Sequence, residues 1–212
     1  MKSQLVAGLL CLASLIAGQS AWGIAPPVVK NSAQAVVPCQ QGSHLGSCTY
    51  IGDDLFVGCD HVAETDDTVY CGGRACTVVA RNSTFDIVVM RAKKPVRGLV
   101  AAPVASKDVK VGDVVFGVGY GVSYNDEDGL ETVQRRVFAG VVRGHTQPNS
   151  VTASEWYWLS SVKGARSGDS GGAIFNINGE LVGDLWGRSQ DGRITYAVDN
   201  TILRDLLKKV KK

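Results

Sequence analysis

The sequence predicts an all-β protein, a sandwich or closed barrels, finished by a single C-terminal α-helix. Three observations carry that expectation. Short apolar or β-branched runs of strand length recur from about residue 47 to residue 198, and turn-forming clusters separate them. Those clusters stand at Asn125-Asp126-Glu127-Asp128-Gly129, Pro148-Asn149-Ser150, Asn178-Gly179 and Asp191-Gly192. Only Thr201–Lys212 has helical spacing, with Ile202, Leu203, Leu206, Leu207 and Val210 on one face. Composition agrees with a folded domain. Of 212 residues, 45% are hydrophobic and 20% charged, which excludes a disordered or collagen-like chain, and a net charge of +2 supplies no strong field for nucleic acid.

At the N-terminus, Lys2 precedes an apolar run from Leu5 to Ala17, and small residues follow around Ala21-Trp22-Gly23. This charged, apolar, small-residue order is that of a secretory signal peptide. The run is shorter than the about 20 residues that cross a bilayer. Cleavage after Gly23 is expected, leaving residues 24–212 as a secreted or periplasmic chain with no stable membrane insertion. Cys11 is lost with residues 1–23, so Cys39, Cys48, Cys59, Cys71 and Cys76 remain, an odd number where disulfides persist.

The mature segment Ile24 to Val37 is expected to be extended, because Ala25-Pro26-Pro27 opposes a helix start. Strands are then expected at Ser47–Ile51, Leu55–Gly58, Val69–Tyr70, Thr77–Ala80, Ile87–Arg91 and Val114–Gly119. Further strands are expected at Val133–Val142, Trp156–Ser160, Ala173–Asn176, Leu181–Trp186 and Ile194–Val198. Cys71 and Cys76 flank Gly-Gly-Arg-Ala and are expected to face each other across a hairpin as a disulfide. Cys48 and Cys59 lie near each other on a second hairpin around Gly52-Asp53-Asp54, and Cys39 competes for either or stays free. Paired Cys-x-x-Cys knuckles are lacking, so a zinc site is not expected.

Chemistry concentrates at Ser167-Gly168-Asp169-Ser170-Gly171-Gly172. A serine hydroxyl becomes a good nucleophile only with a base in reach and donors placed for the oxyanion. Glycines on both sides of Ser170 permit a tight turn that exposes its side chain and aims the N–H groups of Gly168 and Ser170 at one point. Three histidines are available as base, His44, His61 and His145. His61 ends the apolar run Leu55-Phe56-Val57-Gly58-Cys59, whereas His44 and His145 read as exposed loop residues. Asp86, ahead of Ile87-Val88-Val89-Met90, is placed to be buried and to hold the imidazole tautomer. Asp60, Glu64, Asp66 and Asp67 read as solvated loop charges. The resulting chain order, His61, Asp86, Ser170, is one of the three known for such triads.

On these residues, from about Gly46 to Val198, the chain resembles the trypsin-like serine peptidases and, among them, the bacterial HtrA and V8-like branch. The matching stretches are Gly46-Ser47, Val57-Gly58-Cys59-Asp60-His61-Val62, Asp86-Ile87-Val88-Val89-Met90, Val111-Gly112-Asp113-Val114-Val115, Gly140-Val141-Val142 and Ser167 through Asp184. The resemblance implies two six-stranded antiparallel β-barrels, spanning roughly residues 24–105 and 106–200, with a C-terminal helix over 201–212. It implies a triad in the cleft between them and endopeptidase activity through an acyl-enzyme. It also implies a substrate added as a β-strand to Leu185-Trp186-Gly187, in a pocket walled by Gly164, Ala165 and Arg166, with Thr195 and Arg193 opposite. No metal or organic cofactor is expected; the partner is a protein or peptide substrate, and the enzyme is expected to be a monomer. Two departures stand out. Asp60 precedes His61 where relatives carry a small or amide residue, and Leu185 stands where a serine normally supports the aspartate. The chain ends at Lys212, so no PDZ module is expected. An Ile24 amine inserting beside Asp169, as in trypsin zymogens, and a silent peptide-binding homologue are the alternatives the resemblance leaves.

Overall fold

The structure is a computed structural model that describes residues 21–65, 68–124, 131–146, 156–161, 164–190 and 194–210. Most of the expected signal peptide lies outside the described residues, as do the turns around Asn125–Gly129, Pro148–Ser150 and Asp191–Gly192 together with Arg193.

The described chain opens with two short helices, α1 (Ala21–Ile24) and α2 (Pro27–Ser32). This corrects the extended stretch expected there. Pro27 is the first helical residue, a position whose N–H has no partner to lose, and Pro26 is held outside the helix at φ −54° and ψ 150°. Proline in succession therefore starts a helix instead of preventing one. Val29 and Ala33 carry this segment into the core.

Fourteen strands follow among the described residues: β1 (Val36–Gln41), β2 (His44–Gly52), β3 (Leu55–Cys59), β4 (Val69–Cys71), β5 (Arg74–Asn82), β6 (Ile87–Ala92), β7 (Val114–Gly119), β8 (Val122–Tyr124), β9 (Glu131–Val133), β10 (Arg136–Thr146), β11 (Trp156–Ser161), β12 (Ala173–Asn176), β13 (Leu181–Arg188) and β14 (Ile194–Asp199). The first six close into an antiparallel barrel in the order β1-β2-β3-β6-β5-β4. A second barrel closes as β10-β11-β14-β13-β12-β7, and β8 and β9 form a separate two-stranded ribbon. The single strand expected over Val133–Val142 is two, β9 ending at Val133 and β10 beginning at Arg136. Helix α3 (Asn200–Val210) ends the described chain; Asp199 Oδ1 accepts the Thr201 N–H at 2.8 Å, supplying one of the missing bonds at its start.

One apolar cluster runs through both barrels. Phe56, Ile87 and Met90 of the first pack in the same cluster as Phe116, Phe175 and Leu181 of the second, and α3 adds Leu203 and Leu206. A smaller cluster inside the second barrel holds Val115, Phe138, Ile174 and Leu185.

The first barrel also collects cysteines. Cys48, Cys39, Cys71 and Cys76 sit on β2, β1, β4 and β5, consecutive strands around the barrel, and all are buried. Cys71 and Cys76 are not opposed as the hairpin arithmetic suggested: Cys71 pairs with Arg74 and Val69 with Cys76, an offset of two residues, and both are free thiols. Hydrogen bonds from Cys48 and Cys71 hold the Cys39 thiol down to about 5, while burial pushes the Cys48 thiol up.

Candidate active site

Strand pairing brings His61 and Asp86 together. Cys59 at the end of β3 is paired with Ile87 at the start of β6, so the residues just beyond those ends, His61 and Asp86, meet at one rim of the barrel. His61 occupies a 3₁₀ turn, Asp60–Val62. Asp86 takes φ +53°, a conformation unfavourable for a side chain with a Cβ, and its carbonyl accepts the Asp60 N–H at 3.1 Å. One carboxylate oxygen accepts the His61 backbone N–H at 2.7 Å and the other pairs with Nδ1 of the ring. The Asp86 hydrogen bond raises the basicity of His61, more than burial lowers it. Asp60 does not compete for the imidazole, because Arg81 holds it in an ion pair at 3.0 Å.

Ser170 reaches the same rim from the second barrel. The Ser47 N–H donates to the Ser170 carbonyl at 2.7 Å, and the Ser47 hydroxyl donates to the Gly168 carbonyl and accepts the Tyr120 N–H, both at 2.8 Å. Gly171 has φ +83°, and a Cβ there would lie 2.1 Å from the Ser47 carbonyl oxygen and 2.9 Å from the Cys59 nitrogen. Only glycine lets the Ser170 turn approach the strand that leads into His61. Within the turn, the N–H groups of Asp169, Gly171 and Gly172 are bonded to Arg166, Leu185 and Asp169 carbonyls. Those of Gly168 and Ser170 are without a partner among the described residues. The Ser170 hydroxyl donates to the Trp186 carbonyl at 3.2 Å.

Three supports carried no signal in the sequence pattern. Arg136, at the start of β10, donates to the buried Asp169 carboxylate at 2.8 Å, and the Arg166 N–H adds a second bond of 2.8 Å to the same oxygen. Burial pushes the Asp169 carboxyl up and the Arg136 guanidinium pulls it back. The cation beside Asp169 is therefore Arg136. Cys59 is the second support. Its thiol donates to Asp184 Oδ2 at 3.3 Å and lies 3.0 Å from the Leu185 carbonyl oxygen. Its sulfur also lies within 4.8 Å of the ligand atoms of His61 and Asp86. Asp184, the third, is 2% exposed, and burial pushes its carboxyl well up.

Around the cleft, Thr195 is buried and its hydroxyl accepts the Ala165 N–H at 3.1 Å, while Arg136 reaches the Gly164 carbonyl at 3.5 Å. Arg166 is exposed, and Trp186 packs edge-on against Tyr196 with ring centroids 6.0 Å apart. Past Asp184, β13 keeps its ladder with β14 alone, through a bulge between Leu185 and Gly187. The Leu185 side chain belongs to the core of the second barrel and its N–H and carbonyl are spent on Gly172 and Gly171. It positions the neighbouring strand and does not line a pocket. His44 is exposed at the start of β2, and His145 lies on β10.

Comparison with known proteins agrees with this architecture. The sequence model of the trypsin-like peptidase domain matches residues 46–183. Among solved structures, the active form of the Rv3671c protease from M. tuberculosis superposes with a TM-score of 0.69 at 20% identity over 87% of this chain and 84% of that one. The serine endoprotease from Yersinia pestis gives 0.65 at 21% identity, over 86% of this chain and 65% of that one. The HtrA-type protease AlgW with tripeptide gives 0.68 at 21% identity, over 86% and 62%. The last two are therefore matched over less than two thirds of their own length. No curated protein matches the sequence. Two closed barrels, a His–Asp pair on one rim and a glycine-bounded serine on the other, with the family match across most of both, place this chain in the trypsin-like peptidase domain family.

Proposed function

We propose that this chain is a secreted serine endopeptidase that cleaves peptide bonds through His61, Asp86 and Ser170. The observation that carries the reading is the pair of N–H groups, Gly168 and Ser170, that have no partner among the described residues, beside a serine whose neighbours on both sides are locked by backbone bonds. Two amides pointing at one spot are what a developing oxyanion needs, and holding them fixed in advance removes the reorganisation cost at the transition state.

In the reaction, the Ser170 hydroxyl leaves the Trp186 carbonyl by rotation about χ1 and gives its proton to His61 as its oxygen adds to the substrate carbonyl. Asp86 accepts from the opposite face of the ring and stabilises the imidazolium. The oxyanion rests on the Gly168 and Ser170 N–H groups. His61 then protonates the leaving amine, and water regenerates Ser170 from the acyl-enzyme by the same route. Beyond Leu185, β13 is laddered to β14, and this supports docking of an extended peptide as an added strand alongside Trp186 and Gly187. Gly164 and Ala165 leave room for an uncharged side chain, flanked by Arg166. Asp184, buried against Cys59, is withdrawn from any role in attracting a basic one. The Lys2-to-Gly23 pattern supports export.

A fluorophosphonate probe tests the reading directly. Wild type is expected to take one label and Ser170→Ala none, and a peptide library is expected to return cleavage by the first alone. Folded wild type that takes no label and cleaves nothing would instead identify a silent peptide-binding relative.

A further inference from the structure

We propose that Cys39, Cys48 and Cys71 form a buried all-sulfur site for one thiophilic d10 cation, Zn²⁺ or Cu⁺, inside the first barrel. The sulfurs of Cys39, Cys48 and Cys71 lie within 4.8 Å of one another. In a metal–thiolate site with bonds of about 2.3 Å, neighbouring sulfurs stand about 3.8 Å apart, so a small inward movement of three side chains completes the shell. Cys76 stands outside this trio, its thiol donating to the Arg74 carbonyl at 3.3 Å, and the Met90 thioether lies 3.8 Å from the Cys71 sulfur. All four cysteines are 0–1% exposed. Sulfur donors in a dry enclosure favour soft ions over Mg²⁺ or Ca²⁺, which need oxygen ligands.

Strand register argues against disulfides as the natural end state of this cluster. The pairs on adjacent strands that would use all four residues are Cys39 with Cys48 and Cys71 with Cys76. Both are diagonal: Cys48 is opposite Val37, and Cys76 is opposite Val69. Diagonal neighbours stand about 7–8 Å apart at Cα, beyond the roughly 4.4–6.8 Å that a disulfide spans. Only Cys39 and Cys71 are directly opposed. Joining them leaves Cys48 on β2 and Cys76 on β5, three strand spacings apart around the barrel, about 14 Å. A metal ion satisfies the three sulfurs of Cys39, Cys48 and Cys71 at once without moving the strands. Each coordinated thiol releases its proton to solvent and gives a lone pair to the metal, and no electron changes hands.

The test begins with protein purified from cells that export it, without reductant or chelator. Elemental analysis and native mass spectrometry are expected to find one equivalent of zinc or copper per chain, and which of the two is present decides between the ions. After stripping, Cd²⁺ titration of the reduced wild type is expected to raise a sulfur-to-metal charge-transfer band that saturates at one equivalent. Cys48→Ser is expected to weaken Cd²⁺ binding by at least about tenfold, while Cys59→Ser, outside the cluster, binds as the parent does. Should Cys48→Ser fail to fold, the wild-type titration decides alone. A metal-free isolate whose non-reducing peptide map joins these four cysteines to one another overturns the proposal, as does a Cd²⁺ titration without the charge-transfer band.

Discussion

His61 can act as a base only when its ring is neutral, and Asp86 raises the pH at which that happens. The acid limb of kcat/KM is therefore expected to fall above the ordinary histidine value of about 6.5, with activity rising as pH increases through it. Asp86→Asn removes the charge that favours the protonated ring and unlocks the tautomer. The limb is expected to move toward lower pH, and kcat to drop on the order of 10³–10⁴-fold. Initial rates from pH 5 to 9 on one peptide check both; an unchanged limb in the variant would assign the titration to another group. Arg136 is the second test at this scale. Arg136→Met strands the buried Asp169 carboxylate, which is expected to cost about 3–5 kcal/mol in urea unfolding. Asp169→Asn added to Arg136→Met is expected to restore much of it. The placement of His61 beside Asp86, and of Ser170 in a glycine-bounded turn, was legible because the proposed nucleophilic chemistry demands those residue types beside apolar strand ends and glycines. Arg136, Cys59 and Asp184 were not, because each acts through contacts with residues 30 or more positions away. Nothing in the local pattern announces them.

Among elements, the nucleophile turn between β11 and β12 shows what holds the two barrels in register. Gly171 at φ +83° has the Ser47 carbonyl oxygen where a methyl group would stand. Gly171→Ala is expected to cost at least about 1–3 kcal/mol of stability from the backbone conformation alone. The larger effect falls on rate, since relieving the clash separates Ser170 from the His61 rim. Fluorophosphonate labelling is expected to slow by more than the thermal shift accounts for, whereas a variant that loses stability without slowing would make the glycine merely structural. Most strands were legible from alternating apolar runs between turn residues, Val114–Gly119 and Ala173–Asn176 to the residue. Two failures share a cause. Pro38 lies inside β1 and hid that strand, and Pro26-Pro27 hid helix α2. Proline removes one donor and fixes one dihedral, and its cost depends on whether the lost N–H had a partner, which is set by the fold and not by the neighbouring residues.

For the whole molecule, the issue is whether two barrels make one unit of stability. The apolar cluster is continuous from Phe56 and Met90 through Phe116 and Phe175 to Leu203. Helix α3, which leaves the second barrel at Asp199, packs against β5 and β6 of the first as well as β13 and β14. It straps one barrel to the other. Leu203 and Leu206 are each 2% exposed, so Leu203→Ala is expected to cost about 2–5 kcal/mol. Because the cluster is shared, that loss is expected to lower both barrels together. Two probes report them separately: Trp156, Trp158 and Trp186 lie on strands of the second, and Cys39, Cys48, Cys71 and Cys76 on strands of the first. Tryptophan emission and thiol reactivity followed along one urea series should share a midpoint in wild type and in Leu203→Ala. Separation of the two curves in the variant alone would show that α3 creates the cooperativity. Separation in wild type would show that the barrels fold apart and that the catalytic rims meet only after each is complete.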